Sequence, residues 1–115
     1  MILYHGTTKE NAKKLLENGW TPNSGTRGSN FGNSRYLYVT NIPENALWFA
    51  EQKGDDVVLA ISDLNYDILK VDPEDGIYET VEEELKHSAN SKMPAYLVVV
   101  SPISKDKIKI HSGSL

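Results

Sequence analysis

The sequence predicts an α+β domain around a mostly antiparallel sheet, and three observations carry that expectation. The first half contains two units in which a short apolar run leads into a capped helix. The second half is rich in strands, with "AYLVVVSPI" at 95–103 the strongest run in the chain. At 115 residues the chain has room for one core only, so residues 1–115 are read as a single domain.

The elements follow in order. Residues 2–6 read as a strand. Thr7 and Glu10 supply the T-x-x-E of a capping box, Ala12, Leu15 and Leu16 give a helical apolar stripe, and Gly19 stops the helix. From Trp20 to Arg35 the chain reads "WTPNSGTRGSNFGNSR", a long polar loop of the kind that is functional or disordered. Tyr36 to Thr40 is a second strand. Asn41 and Glu44 repeat the cap pattern, Pro43 sits in the first turn, and a helix runs through Ala46, Leu47, Phe49 and Ala50 to Gly54. "DVVLAIS" at 56–62 and "YDILKV" at 66–71 are strands, and "DPEDG" at 72–76 is a turn. Residues 80–87 suit a short acidic helix whose apolar face is only Val81 and Leu85. The 95–103 run is expected at the centre of the sheet and "KIKI" at 107–110 at its edge.

Composition excludes several classes. Hydrophobic residues make up 39% and charged residues 24%, the profile of a folded globular chain. Cysteine is absent, which removes disulfides, thiolate metal sites and thiol nucleophiles. The net charge of -4 argues against a nucleic-acid track, and Lys105, Lys107 and Lys109, like Lys9, Lys13 and Lys14, read as solvated faces. No apolar run approaches a membrane span and the N-terminus lacks a signal-peptide pattern, so the expected compartment is the cytoplasm. The three histidines are scattered, with no H-E-x-x-H, so no metal site is expected. "GTRGSNFG" lacks the phosphate-loop spacing, and no serine sits in a G-x-S-x-G elbow.

What remains is His5 beside Gly6 at a strand exit, the polar loop, and Tyr36 with Tyr38 on one face of the second strand. Singly, each has an ordinary structural explanation: a histidine bonded to a carbonyl, a glycine easing a turn, packed aromatics, slack chain.

In order, "LYHGT", a capped helix ending "ENGW", a Gly/Ser loop, "RYLYVTN" and "PENALWFAE" resemble the NAD-binding core of the ADP-ribosyltransferase superfamily. The branch concerned carries histidine, tyrosine and glutamate on three strands. The resemblance is strongest over residues 2–62, and "YLVVVSPISKDKI" also suits it. It implies that His5 bonds a ribose hydroxyl of NAD and that Gly6 meets the nicotinamide amide through its backbone, with Thr7 starting the helix behind them. Tyr38 would stack on the nicotinamide ring, with Tyr36 as the alternative. Residues 25–35, Asn30 and Phe31 among them, would line or cover the dinucleotide, and Arg27 or Arg35 would face its pyrophosphate. Trp48 and Phe49 are core by default, with one of them a possible pocket wall.

The family's glutamate falls at the start of the strand read here as "MPAYLVVV", where this chain has Ala95. An alanine side chain accepts no hydrogen bond and stabilises no cation at a glycosyl-transfer transition state. Three explanations stay open: Ala95 is an engineered replacement, the protein is a non-enzymatic binder of NAD or ADP-ribose, or Glu82, Glu83 or Glu84 supplies the carboxylate. The resemblance thus implies a small NAD-dependent transferase of the toxin or phage-effector kind, weakened or inactive in this chain. Its target would be a protein, DNA or RNA, and an antitoxin or host protein its partner.

Overall fold

The computed structural model describes residues 1–22 and 35–115. Strand β1 (Leu3–Thr7) leads into helix α1 (Lys9–Asn18), and β2 (Leu37–Thr40) into α2 (Pro43–Gln52). Then come β3 (Val57–Ile61), β4 (Leu69–Val71), α3 (Val81–Ser91), β5 (Tyr96–Val99) and β6 (Ile108–Ser112). The six strands form one sheet in the order β4-β5-β2-β1-β3-β6, and every neighbouring pair is antiparallel. The expected α+β architecture is therefore the observed one.

Alternation along the strands separates two faces. Leu3, Leu37, Val39, Leu59, Ile61, Leu97 and Val99 pack with Ala12 and Leu15 of α1 into the main core. Helix α2 lies on the opposite face, with Ala46 and Ala50 against β1. Trp20, read from sequence as the start of the loop, is buried in the core instead. Its backbone exchanges hydrogen bonds of 2.9 and 2.8 Å with Ile103.

Several boundaries differ from expectation for local reasons. Thr7 belongs to β1 and is fully buried; the cap of α1 is Thr8, whose hydroxyl accepts from the Asn11 amide at 3.2 Å. Two adjacent threonines make the pattern ambiguous by one position, and strand pairing with β3 claims the first. Asn41 does not cap α2, whose preceding residue Ile42 offers no side-chain bond. The Asn41 side chain is used across the sheet end, donating to Ser88 and accepting from the Ala95 amide. Residues 66–68 form a 3₁₀ turn before the short β4. Strand β5 ends at Val99 and lies one position in from the sheet edge, while β2 and β1 occupy the centre. Strand β6 is an edge, as its alternating lysines suggested.

Candidate functional site

Strand β1 pairs with β3 along its whole length but with β2 at one position only, Tyr4 opposite Thr40. Beyond that position the imidazole of His5 takes over from the backbone ladder. Its Nδ1 lies 2.6 Å from the Tyr38 carbonyl oxygen. A carbonyl only accepts, so Nδ1 carries the proton and Nε2 is left as a bare acceptor. His5 is 2% exposed, and Nε2 has no partner among the described residues. Burial, aided by the Lys53 charge and opposed by the Tyr38 bond, pushes its pKa down to about 3. The ring is neutral at physiological pH.

His5 lines a cleft enclosing about 500 Å³, open solvent at its mouth included. Its described lining joins His5 and Gly6 to the rings of Tyr4, Tyr38, Phe49 and Tyr96. Lys53 enters from the end of α2, and its ammonium donates to the Gly6 carbonyl at 3.0 Å. Burial lowers the Lys53 pKa to about 8. Part of the lining is acidic: Asp72, Glu74 and Asp75 come from the turn after β4. Asp72 is buried, its carboxyl pushed up by that burial, and its Oδ1 accepts from the Glu74 and Asp75 amides at 2.7 and 3.2 Å. The Tyr38 hydroxyl donates to Glu74 Oε1 at 3.3 Å. A second buried group with no partner among the described residues, the Thr40 hydroxyl, also belongs to a lining residue.

The residues singled out in the sequence divide accordingly. His5, Gly6 and Tyr38 meet in the cleft, and of the two neighbouring aromatics Phe49 walls it while Trp48 is exposed. Thr7, Tyr36 and Arg35 lie outside the described lining, although the Tyr36 ring packs edge-on against Tyr38. Arg27, Asn30 and Phe31 fall outside the described residues. Ala95 is fully buried and is not a lining residue; its neighbour Tyr96 is. Glu84 is buried too, with both oxygens committed to the amides of Ile77, Tyr78 and Tyr96. Glu82 and Glu83 are exposed and away from the lining.

Gly6 has a packing role beside the one its sequence neighbourhood suggested. A Cβ there would overlap the Ala46 carbonyl oxygen, so the missing side chain is needed to admit helix α2. Lys53, Glu74, Asp75 and Tyr96 were not anticipated. Nothing local marks them, because β-sheet order, not sequence spacing, brings the end of α2 and the turn after β4 to one place. Among the described residues no set of three or more histidine and acidic side chains is placed to hold a metal, and no helix is long and apolar enough to cross a membrane.

The buried imidazole makes stability pH-dependent. Its pKa is about 3 in the fold against 6.5 for the free side chain, so below pH 6.5 the unfolded chain binds the extra proton. Stability therefore falls as pH drops from 6.5 toward 3. Between pH 6.5 and 5, where ordinary carboxylates remain ionised, the expected loss is about 2 kcal/mol. Urea unfolding across that interval measures it, and His5→Gln should flatten the slope.

Set against protein-family models and against curated proteins, the chain matches none, and the identity of the cleft rests on its own residues.

Proposed function

We propose that the chain binds NAD in this cleft and transfers its ADP-ribose to a nucleophile on a macromolecule. The observation that carries the reading is the His5 ring: neutral, fixed through Nδ1, and left with a buried acceptor that no group among the described residues satisfies. Buried polar atoms nearly always have partners, and a ribose hydroxyl is a donor of the right kind for Nε2. The remaining lining suits the same ligand. Nicotinamide in NAD is a cationic ring, favoured by aromatic faces at Tyr38, Phe49 and Tyr96 and by the acidic wall. Lys53 offers the described cleft a cation for the pyrophosphate side. When bound, NAD supplies an activated ribosyl carbon whose leaving group departs neutral. His5 orients the ribose, the rings hold and desolvate the nicotinamide, and Lys53 binds anionic oxygen.

The absence of a carboxylate at Ala95 favours a second reading, a non-enzymatic binder of NAD or ADP-ribose. Calorimetric titration tests the shared premise. NAD should bind at or below millimolar concentration, and His5→Phe, which keeps a ring but removes both nitrogens, should weaken it about tenfold or more. No binding at millimolar NAD overturns both readings; binding without nicotinamide release leaves the binder.

A further inference from the structure

Resting on the NAD reading, we propose that Glu74 on the turn between β4 and α3 is the carboxylate that serves the ribosyl carbon. Position 95, where the resemblance places that group, is buried and outside the cleft. Glu84 is equally removed, because three backbone amides already occupy its two oxygens. Glu74 differs from both. It lines the same cleft as His5, its side chain is solvent-accessible, and its Oε1 accepts from the hydroxyl of Tyr38, the ring read as the nicotinamide platform. Its backbone is also held. The Asp72 carboxyl takes the Glu74 amide at 2.7 Å, which fixes the tip of the turn over the cleft. Acidic residues on a turn do not by themselves make a site. Here two buried polar groups of the same lining, His5 Nε2 and the Thr40 hydroxyl, lack partners among the described residues and call for a hydroxyl-bearing ligand in the cleft that Glu74 also lines.

The chemistry balances without a redox partner. The bond between the ribosyl C1″ and the nicotinamide nitrogen breaks, and its electron pair neutralises the departing ring. Positive charge develops at C1″, where the Glu74 carboxylate stabilises it and accepts a hydrogen bond from the adjacent ribose hydroxyl. A target hydroxyl or amine donates its lone pair to C1″, and its proton passes to Glu74 and then to water. The products are the ADP-ribosylated target, nicotinamide and one proton.

Glu74→Gln in the full chain tests the assignment with two readouts. Nicotinamide release from NAD should fall ~10²–10³-fold, the usual effect of removing one electrostatic contact at a transition state. In calorimetric titration the variant should bind NAD more weakly by about tenfold at most while binding NADH, whose ring is neutral, as before. Glu82→Gln should leave both unchanged. Release within about threefold of the parent overturns the proposal, as does equal weakening of NAD and NADH. A parent chain that binds NAD but releases no nicotinamide also overturns it while leaving the binder. A parent chain that binds no NAD removes the reading beneath it.

Discussion

Gly6→Ala is expected to cost about 4 kcal/mol or more, enough to unfold much of the population of a domain this size. The added methyl would overlap the Ala46 carbonyl oxygen, with the Ala50 amide nitrogen at 3.0 Å behind it. Both obstacles are helix backbone, so no side chain can swing aside. The only relief is to lift α2 from β1, which would also carry Lys53 and Phe49 out of the cleft. Urea denaturation followed by the fluorescence of buried Trp20 measures the loss. Gly54→Ala is the control. A Cβ there meets nothing within 4 Å, and only the backbone φ of +83° opposes it, at about 1 kcal/mol. Equal costs for the two substitutions would contradict the packing of α2 on β1.

Glu84→Ala should cost about 3–5 kcal/mol, the second large effect. Its carboxylate is 3% exposed and receives the Ile77 amide at 2.9 Å, the Tyr78 amide at 3.0 Å and the Tyr96 amide at 3.1 Å. Removal leaves three donors without an acceptor and a void beneath α3. Glu84→Gln keeps the shape and one acceptor, and should lose less. Because these amides come from the segment after the acidic turn and from the start of β5, the same substitution should loosen the cleft wall. Hydrogen exchange at Ile77, Tyr78 and Tyr96 would report it directly, with protection falling at all three together.

How much of this was legible in the sequence depends on the range over which each residue acts. Gly19 and Pro43 act within a turn of their own helices, and the ends they mark are where the pattern put them; Thr80 likewise starts α3, which runs on to Ser91, past the 80–87 expected. The alternating "KIKI" marked an edge because exposed strand edges favour lysine. Glu84 shows an intermediate case. In an acidic run, charge suggests a solvated face, yet Val81, Glu84 and Ser88 follow helical spacing and are all buried. Gly6 and the "DPEDG" turn show the limit. The turn was evident from composition, but its place beside Tyr38 depends on β5 pairing with both β4 and β2. Likewise, the reason for Gly6 lies forty residues on, at Ala46.

The Glu84 carboxylate, itself buried and outside the cleft lining, ties residues 77–78 before it to Tyr96 after it. The residues at the tip, Pro73, Glu74 and Asp75, are all exposed and contribute no side chain to that anchorage. Support for the turn and the chemistry proposed for it therefore fall on different residues. Pro73 and Asp75 could be exchanged without risking the domain, whereas the buried acid would tolerate almost no change. Variation among natural versions of this chain should concentrate at 73 and 75, spare 84 for stability and, on the proposed assignment, spare 74 for activity.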